Sequence, residues 1–107
     1  MTYDVVLTRK AERQITSAAR WWAKHRSPQQ AERWYQGLMH TLNSLAQDPQ
    51  RCPLAPEHEM LPLPIRQIPY GLGHKPTHRV LFAIRGQRVV VYAFRHLAQR
   101  DIRPEDL

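Results

Sequence analysis

The sequence predicts an α+β domain in the order β-α-α-β-β-β, and three observations carry that prediction. Two helical stripes, with apolar residues at steps of three and four, follow a short β-branched opening run. The last third of the chain carries apolar runs joined by a glycine turn, as strands of a hairpin do. A proline-rich stretch between them fits neither pattern. At 107 residues, 42% of them hydrophobic, residues 1–107 are expected to form a single small domain with one core.

Tyr3 to Leu7 is the first strand. Thr8 then offers a helix N-cap, and Ala11, Ile15, Ala18, Ala19 and Trp22 form one buried face. The helix is expected to stop near His25–Arg26, because Ser27-Pro28-Gln29-Gln30 is a restart signal. Ser27 can cap, Pro28 suits the first helical position, and Gln30 sits where a capping-box side chain reaches back. The second helix has its stripe at Ala31, Trp34, Tyr35, Leu38, Leu42 and Leu45, and is expected to end at Asp48-Pro49. So short a linker makes the pair an antiparallel hairpin. Trp21, Trp22, Trp34 and Tyr35 read as its interface and core, with one ring on the surface.

Residues 48–64 hold Pro49, Pro53, Pro56, Pro62 and Pro64 and are expected to be a long irregular connection. Ile65 to Tyr70 is a strand carrying Pro69, hence an edge strand. Gly71-Leu72-Gly73 marks a turn. Arg79–Ile84 and Arg88–Phe94 are strands around the tight turn Arg85-Gly86-Gln87. Both are apolar on both faces, so they are expected to be central, with the helical hairpin as the only cover available.

Sixteen Lys and Arg against nine Asp and Glu give a net charge of +7. Seven of the cations (Arg9, Lys10, Arg13, Arg20, Lys24, Arg26, Arg33) fall between Arg9 and Gln47, against only Glu12 and Glu32. Such a field suits a polyanion, either nucleic acid or an acidic protein segment, although a generally basic surface is the blander explanation. The single cysteine, Cys52, excludes an internal disulfide and reads as a small hydrophobe in a reducing, cytoplasmic setting. The opening segment from Met1 to Lys10 lacks a leader-like core, and no run approaches the ~20 apolar residues of a membrane span. A soluble, intracellular, unprocessed protein is expected. His74 and His78 lack a third ligand at fitting spacing, so no metal site is expected; with no glycine-rich phosphate loop, no cofactor is either.

Element order and motifs together resemble the RelE/ParE toxin superfamily. The stretches that carry the resemblance are His78-Arg79-Val80-Leu81-Phe82, Gly86, Val89-Val90-Val91-Tyr92-Ala93-Phe94, and His96 followed by Arg100-Asp101. Val5-Val6-Leu7-Thr8, the early Ala11 and Glu12, and the Asp48-Pro49 ending fit as well, so the likeness covers essentially the whole chain. It implies the toxin of a type II toxin–antitoxin module for plasmid stabilisation, neutralised by a cognate antitoxin that is acidic or partly disordered. A disordered acidic chain can bury apolar side chains in a basic domain while pairing its carboxylates with Lys and Arg.

Members of that superfamily follow two mechanisms. One branch cleaves mRNA on the ribosome, which needs a base for the 2′-OH, an acid for the leaving oxygen and cations for the phosphorane. The resemblance then implies catalytic roles for Arg79, at the position of an arginine that contacts the scissile phosphate, for His96 as acid or base, and for Arg100 with Arg95 as further phosphate contacts. The other branch traps DNA gyrase on cleaved DNA and needs no catalytic residue. The cleaving branch typically carries a lysine cluster or an acid in the segment before the second strand. This chain has no lysine between Lys24 and Lys75, and Glu57 and Glu59 are the only glutamates of residues 48–64. Its tail, residues 101–107, has neither tyrosine nor histidine, and His96…Arg100-Asp101 resembles the gyrase-directed ending, so that reading is favoured.

Structural alternatives stand beside each residue. Arg79 can pair with a carboxylate such as Asp101, His96 can hydrogen-bond backbone at a strand end, and Arg100 with Asp101 can be an exposed ion pair. A non-toxic nucleic-acid-binding domain would need exposed aromatics on the sheet, whereas Phe82, Tyr92 and Phe94 lie in runs the core claims. An inactive relative kept as an interaction protein is a further alternative.

Overall fold

A computed structural model describes residues 2–107; Met1, part of the opening segment read above, lies outside the described residues. The elements are β1 (Asp4–Leu7), α1 (Arg9–His25), α2 (Pro28–Ser44), β2 (Arg66–Tyr70), β3 (His78–Arg85) and β4 (Arg88–His96). They form a four-stranded sheet in the order β1-β4-β3-β2. β1 runs parallel to β4, while β4–β3 and β3–β2 are antiparallel. The expected β-α-α-β-β-β order and mainly antiparallel sheet are present, and Pro69 lies on an edge strand.

The helix starts obey their caps. Thr8 Oγ1 accepts the Ala11 N–H at 3.1 Å, and Ser27 Oγ accepts the Gln30 N–H at 3.0 Å. No bond returns from the Gln30 side chain among the described residues, so only half of the expected capping box forms. α2 ends at Ser44 rather than at Asp48. The last turn tightens to i→i−3 bonds, with the Gln47 N–H reaching the Ser44 carbonyl at 3.2 Å, and Arg51 Nη1 also donates to the carbonyls of Ser44 at 3.3 Å and Gln47 at 2.6 Å. Asp48 then takes a left-handed turn with φ of 47° into Pro49.

Ala11 and Ile15 of α1 pack with Trp34, Leu38 and Leu42 of α2 against Val80, Phe82, Val89, Val91 and Phe94 of the sheet. Cys52 is buried in the same core. Tyr35 departs from its expected place in the stripe and is 42% exposed, because it lies about 100° round the helix from Trp34. Trp21 is 47% exposed, so two rings of the aromatic set reach the surface rather than one.

The sheet has a second cover that the sequence reading did not supply. Leu81, Ala83 and Ala93 point away from the helices and pack with Ala55, Ile65 and Ile102. The proline segment and the C-terminal tail thus form a back layer. Residues 48–64 are correspondingly less irregular than expected, with 3-10 turns at Pro49–Arg51 and His58–Met60 and a bridge from Leu54 to Arg66. Prolines cannot donate to a ladder, but their fixed φ suits tight turns that press apolar residues onto a sheet. A bulge keeps the two faces in register: Leu81 faces Ala93 and Phe82 faces Val91, leaving Tyr92 as the extra residue. Gly86, at φ 62°, opens the two-residue turn between Arg85 and Arg88. No helix among the described residues is long and apolar enough to cross a membrane.

Candidate functional site

Strand alternation sends neighbouring residues of β3 to opposite faces, and this sorts the candidate residues. Arg79 shares the back face with Leu81, and the proline segment folds over it. Its Nη1 donates to Glu57 Oε1 at 2.8 Å and Nη2 to Glu57 Oε2 at 2.6 Å, a bidentate pair. Nη1 also donates to Gln67 Oε1 at 2.9 Å. Both partners of the pair are buried. Asp101, the partner expected from sequence, stands at 3.8 Å with an exposed side chain and is secondary. Glu57 Oε2 further accepts the Ile102 N–H at 2.9 Å, so one carboxylate joins the proline segment, β3 and the tail. The Arg79 hydrogen bond holds the Glu57 carboxyl at about 2, against the opposing effect of burial.

Arg95, opposite Arg79 in the ladder, is buried on the same face. It donates to the Arg100 carbonyl at 2.7 Å, while its Nε has no hydrogen-bond partner among the described residues. Arg100 pairs with Asp106 at 2.9 and 3.3 Å rather than with the Asp101 carboxylate, whose backbone oxygen it bonds instead. Asp106 also accepts the Arg103 N–H at 2.8 Å and lies 3.6 Å from Lys10 of α1. Arg100 above all keeps its carboxyl at about 2.

His96 lies on the other face, toward α1. It is exposed, and its Nδ1 accepts the Ala98 N–H at 3.0 Å. Its ring meets His78 at a centroid distance of 5.0 Å, and His78 in turn stacks on Phe94 at 4.7 Å. Burial, with a smaller contribution from His96, pushes His78 down to about 4. Arg79 and His96 are therefore held on opposite faces of the sheet, while Arg79, Arg95 and Arg100 gather around the back layer.

On the α1 side the same histidines open into a groove of about 860 Å³. Trp21, Trp22, Ala18 and Phe94 supply apolar walls, and Lys10, Arg13 and Arg26 stand at the rim. The Arg26 guanidinium lies 6.0 Å from the Trp21 ring centre. Such a groove can take an amphipathic segment whose apolar residues fill it and whose carboxylates meet the cations. Of the sheet aromatics, Phe82 and Phe94 are buried, and Tyr92 is half-buried with its hydroxyl accepting from Arg85 at 3.0 Å. No group of three His, Cys, Asp or Glu suited to a metal occurs among the described residues.

Sequence reasoning named Glu57, Arg95 and His78 but missed Asp106, and it foresaw neither the Glu57–Arg79 pair nor the burial of Arg95 nor the contact of His78 with His96. Glu57 alone left a signal, an acid within an apolar, proline-rich run, but nothing in that run named its partner.

A family model described as the ParE toxin of the type II toxin–antitoxin system, parDE, matches residues 5–101. A solved chain of a chromosomal ParDE TA system from P. aeruginosa has the same fold, with a TM-score of 0.69 at 16% identity, covering 89% of this chain and 96% of that one. No curated protein matches the sequence.

Proposed function

The chain belongs to the ParE toxin family of type II toxin–antitoxin systems, and from that membership we propose that it arrests growth by trapping DNA gyrase on cleaved DNA. In this reading residues 1–107 act in the cytoplasm as a single toxin domain of a plasmid-stabilisation module. A cognate antitoxin, acidic or partly disordered, neutralises it, and the groove beside α1 with its cationic rim suits such a partner.

One observation carries the choice of gyrase over mRNA cleavage. Arg79, the phosphate contact an RNase would need, spends both ends of its guanidinium on buried Glu57, while His96 stands across the sheet from it. General acid–base cleavage needs both groups within hydrogen-bond reach of one phosphate. Trapping a cleaved complex needs only a binding surface.

The test is a supercoiled plasmid incubated with purified gyrase and the toxin. Accumulation of cleaved plasmid that needs the toxin, and its suppression by the neighbouring gene's product, is the expected result. In cells, labelled thymidine incorporation is expected to stop before labelled methionine. Early arrest of translation with no cleaved plasmid would overturn the reading. His96→Ala is the clean probe of catalysis, since His96 is exposed; it is expected to leave plasmid trapping unchanged.

A further inference from the structure

The cations of α1 are not scattered around the helix. Arg9, Arg13, Arg20 and Lys24 are separated by four, seven and four positions, which at ~100° per residue places all four within an arc of about 60°. The row runs along about 22 Å of helix at ~1.5 Å per residue. All four side chains are exposed, and none takes part in an ion pair among the described residues. Glu12 is the only acid in α1, and it lies to one side of the row. The face points away from the core that Ala11 and Ile15 enter.

We propose that this face of α1 is a contact surface for the phosphate backbone of duplex DNA. The face shares Arg13 and Ser17 with the groove next to it, whereas Arg9, Arg20 and Lys24 lie outside that groove. A protein partner needs an apolar centre to its interface, and between these cations the face offers only Thr16 and Ser17. A single strand needs aromatic platforms, and none lies in the row. A straight line of unpaired cations without apolar or aromatic anchors matches what a duplex presents, a rigid line of phosphates. The face gives affinity and orientation but no base recognition. The inference rests on the gyrase reading for its setting: the toxin would hold the DNA segment as well as the enzyme.

The experiment measures anisotropy of the whole protein on a labelled duplex of mixed sequence across a salt series. Four contacts predict a slope of log affinity against log salt near −3.6, from about −0.9 per phosphate. Replacing Arg9, Arg13, Arg20 and Lys24 together by Gln is expected to weaken binding more than about tenfold and to flatten that slope. A control of equal net charge, with Arg33, Lys75, Arg85 and Arg88 changed to Gln, is expected to keep most of both. Equal losses in the two variants, or an unchanged row variant, would overturn the proposal, as would equal affinity for polyglutamate. Failure of the wild-type protein to trap gyrase, with the row-dependent slope intact, would remove the gyrase reading and leave the surface standing.

Discussion

Glu57 is a single carboxylate serving Arg79 from one side and the Ile102 amide from the other. Removing one member of a buried ion pair strands the other charge, so Glu57→Gln is expected to cost about 3 kcal/mol in urea unfolding at neutral pH. The pH dependence divides into two windows. Glu57 sits at about 2 in the folded chain against an ordinary 4.5, so its contribution is complete above 4.5 and lost as pH falls toward 2. His78 is lowered from 6.5 to about 4, so the unfolded chain takes up that proton first. Stability is therefore lost as pH falls from 6.5 toward 4, while Glu57 is still ionised. His78→Phe is expected to flatten only the upper window, read from unfolding midpoints at pH 7 and pH 5. Both residues were named in the sequence, but neither one's partners nor its burial was legible there. Arg79 was visible as a cation on an apolar strand, but the sequence offered several carboxylates, and tertiary distance chose among them.

The helices were legible because caps and stripes are local, and local chemistry can be read from adjacent letters. The end of α2 was not, because its last turn tightens to i→i−3 bonds and Arg51, beyond the proline, donates to the carbonyls there. The back layer was hidden for a related reason: Ala55, Ile65 and Ile102 have no common period and meet only over the sheet. Gly37, inside α2, shows tertiary contact overriding propensity. Alanine there favours the helix by roughly 0.5–1 kcal/mol, but its Cβ would stand 2.5 Å from the Tyr70 hydroxyl. That hydroxyl donates to the Trp34 carbonyl and is buried. Gly37→Ala is expected to destabilise by about 1–3 kcal/mol through the displaced hydrogen bond. In a double-mutant cycle Tyr70→Phe should recover part of the loss, and strict additivity would count against this packing account.

Across the whole molecule, a net charge of +7 acts on any acidic partner before contact is made. Association with the proposed antitoxin is expected to slow by tenfold or more from low to high salt while dissociation changes little, which stopped-flow mixing would resolve. A rate indifferent to salt would deny electrostatic steering. The layer count is also a property of this scale. Helices in front and a proline segment with the tail behind enclose β3 and β4, whose two-sided apolar runs placed them centrally but were expected to have the helical hairpin as their only cover. The sheet order adds a consequence in time. β1 has its ladder partner in β4, which lies beyond both helices and the proline segment in the chain, with Val5 beside Val89. Such non-local pairing folds slowly. On the ribosome the opening strand has no mate until the hairpin emerges, and the tail that seals the back follows later still. The sheet and its back layer therefore close only when the last of these segments is present, and a partner that reads the assembled surface meets it only then.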